Sequence, residues 1–146
     1  MSEKELEIYR QLRISQDKYT YYILTAAGAG IGLAINQTQD MILSWSLLPL
    51  GVALLLWGLS FFFGCRHLKY VSSFLYTNAD IIKVEEGRLP QVVEHPEYQS
   101  AAIAGIKEAL ENNSIKANKF SNLQFKFLVF GAVSYILTMA YFKDYY

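Results

Sequence analysis

Charged residues all but vanish between Tyr19 and Cys65, where Asp40 alone interrupts the apolar pattern. That acid separates two segments, Tyr19–Gln37 and Met41–Cys65. As helix, each is long enough to cross a hydrocarbon core, which takes roughly 20 residues at 1.5 Å rise over about 30 Å. Thr38, Gln39 and Asp40 are all that lie between them, which predicts a tight helical hairpin with spans at 19–37 and 41–64. Pro49 is expected to bend the second span. A third uncharged run, Phe127–Phe142, is sixteen residues long and a little short for a span. Lys126 and Lys143 can snorkel, and the apolar Phe120–Phe125 can extend the helix inward. Two readings stand for this run: a third span with its end outside, or an interfacial helix with its end inside.

The polar parts carry helical spacing. Ser2 and Glu5 match a capping box, and Leu6, Ile8, Tyr9 and Leu12 recur near helical period, predicting an amphipathic helix over 1–18 that anchors the first span. Beyond Cys65 the helix is expected to continue, with Leu68, Val71, Leu75 and Ile82 on one seam and Asn78 at the intervening position. Gly87 supplies a stop. Ile81–Val84 and Val92–Val93 also admit a second reading, a short β-hairpin around Glu86-Gly87. Pro90 and Pro96 bracket a loop, and a second seam runs through Ile103, Ile106, Leu110, Asn113, Ala117 and Phe120. Two helices of similar reach that leave the membrane and return should pack as an antiparallel stalk over 66–123. Each seam holds one asparagine, Asn78 and Asn113, either setting the stalk's register or simply solvated. The expected architecture is therefore all-α: three transmembrane helices, the last within 124–146, with a cytoplasmic helical hairpin.

Composition sharpens this. Hydrophobic residues make up 53% of the 146, concentrated in three blocks that so short a soluble chain could not cover. Formal charge is zero, so no global attraction to nucleic acid follows. Its distribution is uneven, however. Twelve of the thirteen Lys and Arg lie before Tyr19 or between Arg66 and Lys126, and Lys143 alone comes after the third run. The positive-inside rule then places the N-terminus and 66–123 in the cytoplasm and the C-terminal tail outside. Tyr19, Tyr21 and Tyr22 fit the inner interface, Trp45 the outer one, and Tyr141, Tyr145 and Tyr146 the outer end of the third run. The acidic lead-in and the lack of a small-x-small site after Ile35 predict a retained span rather than a cleaved signal.

Candidate chemistry is sparse. Gly28 and Gly32 form a G-x-x-x-G, and Ala26 and Gly30 a second small-xxx-small pair, the pattern that lets another helix approach closely. No ionisable residue lies inside the apolar runs, which argues against an ion-coupled carrier. Thr25, Asn36, Ser44, Ser46, Ser60, Ser134 and Thr138 suit interhelical hydrogen bonds better than a water path. Cys65, Arg66 and His67 cluster at the inner interface, but a two-ligand C-x-H is incomplete for zinc, and Glu94, His95 and Glu97 lie far along the stalk. A single cysteine excludes an internal disulfide. Arg88 and His95 have a spacing resembling the R-x(4–6)-H motif of HEPN ribonucleases, with two prolines nearby and a predicted loop between them. No nucleophile stands beside a base. The expectation is a protein with no catalytic residues, no metal and no cofactor.

Residues 5–86 show a distinctive layout: the basic lead-in Arg10-Gln11-Leu12-Arg13, two spans with a minimal turn, then a juxtamembrane helix carrying Arg66-His67, Tyr70, Leu75 and Tyr76. This layout resembles the SLATT group of two-span proteins linked to bacterial nucleotide-signalled defence. The resemblance implies a membrane-perturbing or pore-type effector located in a bacterial inner membrane. Read from the residues, the expected partners are the lipid bilayer, further copies of the chain and a cytoplasmic protein, with no nucleic acid; the resemblance implies a nucleotide signal as the alternative. The first expectation is a small oligomeric membrane module whose stalk binds a partner; the second is a pore opened by a cytoplasmic signal.

Overall fold

A computed structural model of the chain describes residues 3–39, 45–88 and 98–143. Three helices account for nearly all of them: α1 (Glu3–Gln37), α2 (Leu48–Glu85) and α3 (Gln99–Lys143), with a 3-10 turn at Trp45–Leu47 ahead of α2. Among the described residues there is no strand.

Local chemistry explains where the helices stop. At the end of α1 the Thr38 N–H donates to the Ile35 carbonyl at 3.2 Å, and its hydroxyl donates to Ala34 O at 2.9 Å. Carbonyls left open by the helix end thereby gain partners. α2 ends on a Schellman arrangement. Arg88 N–H donates to Lys83 O at 2.8 Å, Gly87 N–H to Val84 O at 3.2 Å, and Gly87 sits at φ +65°. Glycine takes that left-handed conformation without Cβ strain. The helical reading of Ile81–Val84 therefore holds, and the stop is Gly87. Val92–Val93, Pro90 and Pro96 lie outside the described residues, as do Ser2 of the capping box and Asp40 of the hairpin turn.

Three expectations change. α2 begins at Leu48 rather than near Met41, so Pro49 sits in its first turn, where a missing N–H costs nothing, and does not bend a span. The lead-in and the segment 19–37 form one unbroken helix. Most consequentially, among the described residues two helices rather than three are long and apolar enough to cross a membrane, and they are α2 and α3. Residues 19–37 fall short because Tyr19, Tyr21 and Tyr22, three glycines and Asn36-Gln37 dilute their apolar side chains.

The chain divides into two compact units. The first comprises Met1–Gly64 and Ser121–Tyr146. Its core is Ala27 and Ala34 of α1 with Leu50 and Trp57 of α2, and Ile31, Leu54, Leu128, Ala132 and Tyr135 pack around them. The second is Cys65–Phe120, where the rest of α2 runs against the first part of α3 with Val84 and Ala117 buried.

Candidate functional site

Trp57 is the centre of the first unit. Its indole is 5% exposed and lies between two glycines on different helices. A Cβ added to Gly30 of α1 would come within 3.0 Å of the benzo ring, and one on Gly131 of α3 within 2.6 Å of Cδ1 and Nε1. Both glycines are thus needed for the helices to close on the ring. The indole Nε1–H donates to Leu128 O at 3.2 Å, and Tyr135 packs against the ring at 5.6 Å between centroids. The Tyr135 hydroxyl in turn donates to Gln37 Oε1 at the end of α1.

Further bonds set the antiparallel register of α2 and α3 within this unit. Ser60 Oγ donates to Gln124 O at 2.8 Å, and Ser134 Oγ donates to Pro49 O at 2.8 Å. Phe63 stacks on Phe127 at 5.3 Å. Thr20, Thr25, Thr38 and Thr138 bond instead to the carbonyl four residues back, so their hydroxyls are satisfied without leaving their own helix. Of the polar residues picked out in the sequence, Ser60 and Ser134 bridge helices, Thr25 and Thr138 do not, and Asn36 is exposed. Ser44 lies outside the described residues.

One buried side chain breaks this pattern. Gln124 is fully buried, and neither its Nε2 nor its Oε1 has a hydrogen-bond partner among the described residues. The amide lies over Gly64, where an added Cβ would fall 2.5 Å from Nε2 and 2.7 Å from Leu24 Cδ2. An amide so placed costs about 1–3 kcal/mol relative to an apolar side chain of similar shape.

The small-residue run of α1 splits across the helix. Gly30 faces Trp57, and Ala27 and Ala34 are fully buried. Gly28 and Gly32 look out, with nothing within 4 Å of an added Cβ, and Ala26 is exposed beside them. The G-x-x-x-G itself is therefore left open by the chain's own packing, while the glycine of the second pair is occupied.

In the second unit His67 is buried, and its Nδ1 lies 2.8 Å from Ala117 O. A carbonyl can only accept, so Nδ1 carries the proton and donates. Tyr70 and Phe120 stack at 5.4 Å and 11°. Arg66 Cζ lies 5.9 Å from the Tyr70 centroid and 5.6 Å from that of Phe120, and Lys116 Nζ is 5.6 Å from the Tyr70 ring. Gln99 Nε2 reaches Val84 O at 3.4 Å. Asn78 is exposed and Asn113 half-buried; the cross-helix bonds of this unit come from His67 and Gln99 instead. Arg88 pairs with Glu86 at 2.5 Å, while His95 lies outside the described residues. No cluster of three or more His, Cys, Asp or Glu comes together among the described residues.

Sequence reasoning missed Trp57, Gln124 and His67 as packing centres. The available signal was a large or polar side chain whose opposite number, in an antiparallel pairing, is glycine or alanine: Trp57 with Gly131, Gln124 with Gly64, His67 with Ala117. No protein-family model, curated protein or solved structure matches this chain.

Proposed function

We propose that this is a small non-enzymatic membrane protein that self-associates in the bilayer and offers the Cys65–Phe120 unit to a cytoplasmic partner or signal. One observation carries the membrane reading. The apolar windows of α2 and α3 are only 28% and 17% buried within the chain. Leu55, Phe62, Phe130, Ile136 and Leu137 are all more than half exposed. A soluble protein would hide such helices, whereas lipid covers them at no cost. The threonine hydroxyls returned to their own helices suit the same surroundings.

The open Gly28 and Gly32 supply the face for a second copy, with α1 crossing beside α2 and α3 as a third span. The distribution of Lys and Arg supports a cytoplasmic N-terminus and Cys65–Phe120 unit, with the end of α3 outside. Alkaline extraction tests the first part: the protein should stay in the membrane pellet, and recovery in the supernatant would overturn it. Gly28→Leu and Gly32→Leu should shift the detergent-solubilised protein toward monomer. An unchanged oligomer distribution sinks self-association through this face.

A second reading, a pore effector of bacterial defence, draws on the resemblance of residues 5–86 to the SLATT group and on the orphaned Gln124 amide. A buried amide without a partner favours any rearrangement that hydrates it. Dye or cation leak from liposomes carrying the protein tests this, and tight liposomes in the presence of the oligomer would refute it.

A further inference from the structure

We infer that Arg66 and Lys116, held on the stacked rings of Tyr70 and Phe120, form a binding site for the phosphate of an anionic phospholipid headgroup. The inference rests on the membrane reading above. Arg66 is the first charged residue after the apolar part of α2, and Lys116 and Lys119 immediately precede the apolar part of α3 that opens at Phe120. In a membrane-spanning pair these positions fall at headgroup depth.

Three features make a phosphate the fitting ligand. Both cations lie against one ring, Tyr70, at 5.9 and 5.6 Å from its centroid, so an anion seated beside that ring meets two positive charges. Neither has a carboxylate at ion-pair distance among the described residues, whose ion pairs are Lys83–Asp80 and Arg88–Glu86. The deficit is also written into the chain, since no Asp or Glu occurs at 41–79 or 112–143. Packing on the rings restrains the guanidinium while its N–H groups remain available to an oxygen anion. Arg66 is half-buried and Lys116 exposed, so a headgroup can reach both.

Native mass spectrometry of the full chain in detergent, offered equal phosphatidylglycerol and phosphatidylcholine, reads this directly. The wild type should retain phosphatidylglycerol preferentially. Arg66→Gln with Lys116→Gln should lower that preference on the order of tenfold. Arg66→Lys should preserve it, as should Lys107→Gln on an exposed position elsewhere in α3. The exposed Lys116→Gln alone should show a partial loss, which keeps the test meaningful even if the double variant folds poorly. Equal retention of both lipids by the wild type, or an undiminished preference in the double variant, overturns the site. Displacement of the lipid by inorganic phosphate would also overturn it, in favour of a soluble phosphate. A protein that survives alkaline extraction in the pellet but shows no lipid preference loses this inference alone; one found in the supernatant loses the membrane reading with it.

Discussion

The indole N–H of Trp57 on α2 donates to the backbone carbonyl of Leu128 on α3 at 3.2 Å, and the same ring fills the space left by Gly30 and Gly131. One side chain therefore joins all three helices of the first unit. Trp57→Ala should cost about 3–5 kcal/mol through the cavity it leaves, and Trp57→Phe less. Unfolding in mixed detergent, tracked by circular dichroism, measures both. Equal stability of Trp57→Ala and wild type would refute this role.

The glycines give a controlled comparison. Gly131→Ala drives a methyl to 2.6 Å from a rigid ring and should destabilise by about 1–3 kcal/mol, with Gly30→Ala milder at 3.0 Å. Gly58→Ala meets nothing within 4 Å, so it should be neutral or gain up to about 1 kcal/mol from helix propensity. The same unfolding measurement ranks all three, and a reversed order contradicts the packing.

Gln124→Leu removes an amide with no partner and keeps similar bulk. It should raise stability by about 1–3 kcal/mol. A clear loss of stability would mean that the amide is satisfied after all. In liposomes the same variant should reduce any leak if hydration of Gln124 accompanies opening.

His67→Phe should lose about 1 kcal/mol with the bond to Ala117 O, while His67→Asn, whose amide nitrogen stands near the place of Nδ1, should recover part of it. A His67→Phe variant as stable as the wild type, with His67→Asn less stable, would show that the ring's volume matters and the donor does not.

Cys65 is the sole cysteine and is exposed. With the proposed orientation, a membrane-impermeant maleimide should label it in inverted vesicles and spare it in right-side-out ones. Labelling of the opposite pattern would invert the topology.

Much of the helical plan was legible in the chain itself. Hydrophobic runs and seam spacing marked the helices, and Gly87 marked a stop because the backbone needs a left-handed residue there. The start of α2 was not legible from hydropathy, since Met41–Trp45 is as apolar as the first turns of the helix; Pro49 was the better marker, read as a helix start rather than a bend. The shortfall of 19–37 as a span came from judging it by missing charge, when tyrosines, glycines and terminal amides also weaken transfer into hydrocarbon. The packing glycine was ambiguous for a different reason. Gly28, Gly30 and Gly32 share one motif, and only the position of Trp57 on another helix decides that Gly30 is covered. Asn78 is exposed and Asn113 half-buried, a difference that their shared seam position does not encode.

The bonds from Trp57, Ser60 and His67 all end on main-chain oxygens of α3, at Leu128, Gln124 and Ala117. Such acceptors exist whatever side chain the position carries. Selection on hydrogen bonding should therefore weigh on the three donors of α2, leaving the acceptor positions of α3 answerable mainly to volume. Divergent copies of this protein would then vary at 117, 124 and 128 within a limit of volume while keeping Trp57, Ser60 and His67, a lopsided pattern of drift that an alignment of homologues would expose.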